Sequence, residues 1–423
     1  MFLYIIYLLI SPVLWILLKF VSIFNLKIRV HFSEQSQTWK VASKTITENQ
    51  NGRELLLFHA ASAGEFEQLK PILRRIDKKR YFVLQTFFSP TIYEKEQDSK
   101  LFDAVCYHPF DFPWSALLFL TKFQPKFYIL TRHDVWPNHL YFARLFGIQT
   151  VLINANLYEN SSRFWFGLRG FNRWTFRNFT HIITGSDRLK KNLVKLLKND
   201  INISVIGDTR FDQILDRKSV NKNKHFPEEI KETKNIIFGS IIPSDYQVIF
   251  NSIEQVYPLG NESLQKQNHR LIVVPHETDE KTLIDIERYL KKTNLSFQRF
   301  SEITKTIESS VILVDVVGIL ADLYSVADLA YVGAGFGAGV HSVIEPAVYG
   351  CAVAFGPNIQ ILDEAITMHK NEIGTIVNNS DEFAEYLGIL QKPEMLAKLQ
   401  KDTLKFVTEH QQISHKIINK LFD

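Results

Sequence analysis

Residues 1–24 are almost wholly apolar, broken only by Ser11, Pro12 and Lys19, and the run is close to the length a bilayer core requires. Polar residues dominate 33–53, and 25–53 is expected to be a linker. From Leu55 onward the pattern changes to short apolar runs separated by helical stretches. Strands are expected at 55–58, 82–85, 104–107, 127–130, 150–153, 182–184 and 204–206. Helices are expected between them, at 65–76, 114–123, 136–146 and 187–197. Strand and helix alternating at this spacing predict a parallel sheet covered on both faces. The charged, weakly patterned stretch 216–234 breaks the series. A second series follows, with strands at 236–238, 271–274, 311–314, 328–332 and 352–355. The expected class is α/β: two Rossmann-like domains, 54–216 and 235–423, joined by a linker at 217–234 and facing each other across a cleft. Ligands would then sit at the carboxyl ends of the strands. The basic, helical stretch 392–423 is expected to pack back on the first domain.

Length supports two domains, since 423 residues exceed one ordinary domain and 46% of them are hydrophobic. A formal net charge of +4 is mild, and no nucleic-acid partner is expected. Cys106 and Cys351 lie in apolar strand-like runs and suit buried thiols better than a disulfide framework. No Cys/His spacing suggests zinc, and neither a metal nor a cofactor is expected. The apolar N-terminus has no basic leader and no small-x-small cleavage site, which favours an uncleaved membrane anchor over a signal peptide. Its cations come late, at Lys19, Lys27 and Arg29, so the body of the protein is expected on the cytoplasmic face. Pro12 leaves open whether the anchor spans the bilayer or lies in one leaflet.

The densest chemical signal is the run from Val332 to Pro357. Gly333, Gly335, Gly337 and Gly339 follow a strand, and a helix is expected next, opened by His341 and Ser342 and carrying Glu345. Such a loop frees backbone N–H groups and aims a helix N-terminus at an anion. An acid one turn in can accept hydrogen bonds from a sugar hydroxyl, so a nucleotide-sugar site is expected. Gly333-x-Gly335-x-x-Ala338 also fits the dinucleotide fingerprint loosely. That fingerprint belongs on the first strand of a βαβ unit with an acid about 20 residues on, and here both conditions fail. A plain glycine turn is the bland alternative.

Other loops follow strand ends. His59–Glu65 contains Ser62 and Gly64, small enough to let another molecule approach, and Glu65 opens a helix. Glu65 is either a general base for a sugar hydroxyl or only a complement to the helix dipole. Asp134, ahead of Trp136-Pro137, is either a cleft residue or a helix cap. Asn156 lies in an asparagine-rich loop that lines the same cleft or simply turns. Residues 161–179 hold Arg163, Arg169, Arg173 and Arg177 among seven aromatics, with no acid. Helical spacing puts the last three arginines on one face, a surface suited to a phosphorylated lipid at a membrane. The alternative is an amphipathic helix with snorkelling arginines. Further on, Gly239-Ser240, Pro275-His276-Glu277 and the turn 317–320, with Gly318 and Ile319, supply strand-end loops able to cradle phosphate.

Taken in order, these segments resemble the 3-deoxy-D-manno-octulosonic acid (Kdo) transferases of lipopolysaccharide assembly over nearly the whole chain. The matching stretches are 59–65, 134–138, 154–160, 207–212, 239–240, 271–276, 315–324 and 333–357. The resemblance implies a GT-B glycosyltransferase without a metal requirement, held at the bacterial inner membrane. Its donor would be CMP-Kdo and its acceptor the glucosamine disaccharide precursor of lipid A. Glu65 would be the base of an inverting transfer. Ser62, Gly64, Asp134, Asn156, Arg163, Arg169 and Arg173 would serve the acceptor. Ser240, Pro275, His276, Gly318, Ile319, Gly335, His341, Ser342 and Glu345 would serve the donor. The chain departs from the family at Arg132 and His133, where an acid and a threonine are usual. It also lacks the arginine usual after Pro275 and has Ser342 where asparagine is common. A membrane-associated GT-B transferase using another nucleotide sugar, or an inactive glycolipid-binding protein, are the rival readings.

Overall fold

The computed structural model describes residues 2–198, 202–220, 226–303 and 306–422. The chain divides into two units, Met1–Gln213 with Gln412–Asp423, and Ile214–Gln411. In the first, seven parallel strands form one sheet: β1 (Glu54–Ala60), β2 (Tyr81–Phe87), β3 (Ala104–Tyr107), β4 (Phe127–Thr131), β5 (Gln149–Ala155), β6 (His181–Thr184) and β7 (Asn202–Val205). Their order is β3-β2-β1-β4-β5-β6-β7. The second unit holds β8 (Lys234–Ile241), β9 (His269–Pro275), β10 (Gln298–Arg299), β11 (Val311–Leu313), β12 (Leu329–Val332), β13 (Ala352–Phe355) and β14 (Gly374–Ile376), in the order β10-β11-β9-β8-β12-β13-β14. The structure is therefore α/β and GT-B-like, with every expected strand present. The edge strands β10 and β14 were not expected, because two polar residues and a Gly-Thr-Ile triplet carry almost no apolar period.

Burial explains the strong strand signal. Leu55 and Leu57 of β1 face one core with Phe119 and Tyr128, while Leu56 and Phe58 face another with Phe66, Leu69 and Ile417. A strand buried on both faces reads as a continuous apolar run. In each sheet the strand order reverses beside the first strand, between β1 and β4 and between β8 and β12. Loops leaving the two strands of such a switch point diverge and leave a crevice at the carboxyl edge. The four chemically suggestive loops, after Ala60, Thr131, Ile241 and Val332, leave those four strands.

Three boundaries differ from expectation. The 25–53 linker is largely a helix, α2 (Leu26–Asn49), preceded by the apolar α1 (Phe2–Phe24). The buried residues of α2 are His31, Thr38 and Ala42, and Trp39 donates Nε1–H to the Tyr107 carbonyl at 2.8 Å. A buried stripe of His, Thr and Ala has too little apolar contrast to show in sequence. The 217–234 linker is helical up to Val220, where Arg210–Val220 ends, and holds a 3₁₀ turn at Glu228–Glu232; 221–225 lie outside the described residues. The second domain was expected to run to 423 with the stretch from 392 packing back on the first; residues from Gln412 onward belong to the first unit, while 392–411 stay with the second. Asp212 accepts from the amides of Ile413 (3.3 Å) and Ser414 (2.6 Å), and Ile413 and Ile417 enter the core of β1. The helix α1 is long and apolar enough to cross a membrane by length and composition.

Candidate active site

In the first unit the site is built where β1 runs into α3 (Ala63–Leu73). Ser62 caps that helix, its Oγ accepting from the Glu65 amide at 3.3 Å, and Glu65 reaches back to accept from Ala61 N (2.9 Å) and Ser62 N (3.0 Å). This is a capping box, so Glu65 is a helix cap whatever else it does. Its carboxylate is half-buried, Ser62 and Gly64 are exposed, and the space a side chain would fill at Gly64 is open.

From β4 comes Asp134, buried, whose Oδ2 also accepts from Ala61 N, at 3.3 Å. Two carboxyls thus converge on one N–H. Burial first, then the charge of Glu65 and a hydrogen bond to it, push Asp134 up to about 8, against the pull of Arg163. Asp134 therefore holds its proton at neutral pH. His59 Nε2 stands 3.7 Å from Asp134 Oδ2. This is no ion pair, since burial depresses His59 to about 3 and leaves it neutral. His133, lowered to about 4 by burial and then by Arg132 and Arg163, is neutral too. Asn156, one residue past β5, lies half-buried at the same sheet edge.

The raised Asp134 pKa gives stability a pH dependence of definite sign. In an unfolded chain aspartate titrates near ~3.9, while in the fold Asp134 keeps its proton to about 8. Between those values the unfolded state binds fewer protons, so stability falls as pH rises and levels off above the folded value. Asparagine cannot ionise. The melting temperature of Asp134→Asn relative to wild type should climb from about pH 5 to about pH 8 and then flatten. A difference independent of pH would contradict the pairing.

The arginines divide. Arg163 donates to the His133 carbonyl (3.0 Å) and to Asn172 Oδ1 (3.3 Å), and lies 5.2 Å over the Phe176 ring, so it belongs to the Asp134 neighbourhood. Arg169 and Arg173, on the helix Phe166–Phe176, instead donate to the carbonyls of Lys195 (2.9 Å) and Leu196 (2.7 Å), in the last turn of the helix Asp187–Leu197. They satisfy orphan carbonyls and complement a negative helix end. The expected basic face is therefore turned inward at these two positions. Exposed on this stretch are Trp165, Phe166 and Leu168.

The second unit gathers a distinct set. Ser240, at the end of β8, has left-handed backbone (φ +57°), and its Oγ hydrogen-bonds His276 Nδ1 at 2.8 Å. His276 follows the buried Pro275, and its ring stacks on His341 with centroids 4.5 Å apart. Burial and then His276 lower the His341 pKa. Gly333 is forced by crowding, since a Cβ there would lie 2.3 Å from the Ser240 carbonyl, and at Gly335 it would lie 2.5 Å from Gly356 N. Between them Ala334 takes φ +70°, a strain that packed surroundings must hold. Asp245, fully buried, does so, accepting from Ala334 N (2.8 Å), Ile242 N (2.9 Å) and the Tyr331 hydroxyl (3.1 Å). The sequence reading missed Asp245, although an acid at the third helical position after Ile242-Pro243 is a capping signal.

The helix after the glycines is shorter than expected. It spans Ile344–Tyr349, so His341 and Ser342 precede it and only Glu345 lies within it. Six residues sum little dipole, and anion binding here would rest on the loop N–H groups. Gly318 (φ +86°) and Ile319 lie in the loop after β11, two strands from β8 at the same edge.

Residues 32–213 match the family described as 3-deoxy-D-manno-octulosonic-acid transferase (kdotransferase). A 3-deoxy-D-manno-octulosonic acid transferase of Chlamydophila psittaci is 26% identical over 313 residues, 72% of this chain and 69% of that protein. A bifunctional glycosyltransferase/methyltransferase of Fusobacterium nucleatum is 24% identical over 378 residues, 87% of this chain; the alignment spans 57% of that protein's length. Among solved structures, a glycosyltransferase from Rickettsia africae superposes with a TM-score of 0.59 at 11% identity, covering 87% of this chain and 97% of the other.

Proposed function

We propose that this chain is a glycosyltransferase of the Kdo transferase kind, a reading its sequence likeness supports, and that it moves Kdo from CMP-Kdo to the glucosamine disaccharide precursor of lipid A, with inversion. One observation carries the mechanism: the carboxyls of Glu65 and Asp134 converge on the Ala61 amide, and two backbone amides hold Glu65 in place. Glu65 takes the proton of the acceptor hydroxyl. The freed oxygen attacks the anomeric carbon of Kdo, the bond to the CMP phosphate oxygen breaks, and CMP leaves with the electron pair. Asp134, kept protonated by burial and by the charge of Glu65, limits the negative charge gathered beside the base. Ser62, Gly64, Asn156 and Arg163 border the acceptor.

For the donor, Ser240, His276, His341, Ser342, Glu345, Gly335 and the loops of Pro275, Gly318 and Ile319 surround the nucleotide and sugar. Loop N–H groups and the Ser240–His276 pair face the charge that grows on the phosphate. The apolar α1 and the exposed Trp165, Phe166 and Leu168 hold the first unit at the cytoplasmic face of the inner membrane, where the lipid acceptor lies.

The test is transfer by the full chain in detergent, with CMP-Kdo generated in situ and tetraacylated lipid A precursor, read by mass spectrometry. Products heavier by whole Kdo units, with CMP inhibiting and UDP not, are expected. Inhibition by UDP in place of CMP would move the reading to another nucleotide sugar. Donor binding without consumption would make the protein a glycolipid-binding one.

A further inference from the structure

The apolar helix α1 has one face that a tether does not need. Tyr4, Tyr7 and Ser11 repeat at helical spacing, and Tyr4 is only 4% exposed, while Leu9 is 73% and Phe20 59% exposed. The Tyr4 hydroxyl donates to Asn138 Oδ1 at 2.9 Å. The Tyr7 hydroxyl reaches the Asp111 carbonyl (2.8 Å) and Oδ2 (3.0 Å). Tyr4 also packs against Trp174, with ring centroids 4.1 Å apart.

What these hydroxyls hold is the start of a helix. The helix Pro137–Leu145 has no side-chain cap of its own, and its first-turn amides need acceptors. Asp111, from the loop after β3, supplies them: Oδ1 accepts from Asn138 N (3.0 Å) and His139 N (3.1 Å) and bonds His139 Nδ1 (2.8 Å). Asn138 Nδ2 returns a bond to the Asp111 carbonyl at 2.6 Å. Asp111 and Asn138 are buried, so each lost partner would leave a desolvated polar group.

That helix start connects to Asp134 twice. Along the chain, Asp134 is three residues before Pro137. Through space, the His139 ring packs tilted against His108 (centroids 4.4 Å apart), His108 packs tilted against His59 (3.9 Å), and His59 lies beside Asp134. All of these residues belong to the first unit.

We propose that Tyr4 and Tyr7 are positioning residues: the membrane helix fastens the Asp111–Asn138–His139 helix cap, and through it sets the place of the Asp134 carboxyl against Glu65. The hydrophobic helix is thereby part of the acceptor-side machinery as well as an attachment to lipid. The catalytic half of this claim rests on the transferase reading above; the fastening does not.

The test uses the full chain in lipid nanodiscs. Tyr4→Phe/Tyr7→Phe removes two hydroxyls and keeps the rings and the apolar surface. Hydrogen exchange of residues 134–145, read by mass spectrometry, should quicken in this variant. Its kcat for transfer should fall roughly 10- to 100-fold with the KM for CMP-Kdo unchanged. Leu9→Ala, which trims the exposed face, should leave both readouts as in wild type. Unchanged exchange in the double variant, or equal losses in Leu9→Ala, would overturn the fastening. Faster exchange with wild-type kcat would overturn the positioning role. If wild type itself transfers no Kdo, the function reading fails and the exchange experiment still decides the fastening.

Discussion

Glu65→Gln is expected to lower kcat by ~10²- to 10⁴-fold, the usual worth of a general base, with CMP-Kdo binding unchanged. Glutamine is chosen because Glu65 has two jobs in one place. Its Oε2 accepts from Ala61 N and Ser62 N, and a glutamine carbonyl can accept the same bonds, since the capping box tolerates either residue. The fold is then kept and only proton abstraction is lost. Alanine would remove cap and base together and separate nothing. Product formation in a single turnover, alongside calorimetric titration with CMP, checks both halves. Wild-type turnover in Glu65→Gln would leave Glu65 as a helix cap and no more.

Gly335→Ala is expected to cripple the second unit. The new Cβ would lie 2.5 Å from Gly356 N and 2.6 Å from Gly356 Cα. Backbone atoms cannot turn aside as a side-chain tip can, so the loops after β12 and β13 must separate. Forcing an extra carbon into such packing costs roughly 1–3 kcal/mol, or roughly 2–10 °C of melting temperature for a unit of this size. The loop that separates is the one Asp245 holds through Ala334, next to His341 and the Ser240–His276 pair. CMP affinity should fall with stability. Normal melting and normal CMP binding in this variant would mean that the glycine loop neither packs as described nor serves the donor.

The fold was legible because of what a parallel sheet demands. Strands such as β1 and β9 are buried on both faces, so burial imposes the apolar runs Leu55–Phe58 and Leu271–Val274 within them. Glycines at 333 and 335 were legible for a related reason: a Cβ at either position would come within 2.3–2.5 Å of neighbouring backbone, so composition records the geometry. The capping pair Ser62 and Glu65 is local, three residues apart, and a helix start can be read from those residue types and their spacing alone.

Long-range pairings left no such mark. Nothing near Asp134 in sequence says that a carboxyl 69 positions earlier meets it at the same backbone amide, or that burial keeps the Asp134 proton in place to about pH 8. Arg169 and Arg173 have the spacing of a lipid-facing stripe, yet the unsatisfied carbonyls of a neighbouring helix claim them. The helix α2 hid behind a buried face of His, Thr and Ala, and Tyr4 and Tyr7 pass for bulk in an apolar anchor unless their hydroxyl contacts with Asn138 and Asp111 are seen. By itself the sequence determined the doubly buried strands, the α/β class and the glycine-rich and capping turns at the strand ends, because these follow from local propensity and from which faces are buried. Only the tertiary structure decided which charges are paired, which protons are held and which side chains are already taken, because those depend on residues brought together from distant parts of the chain.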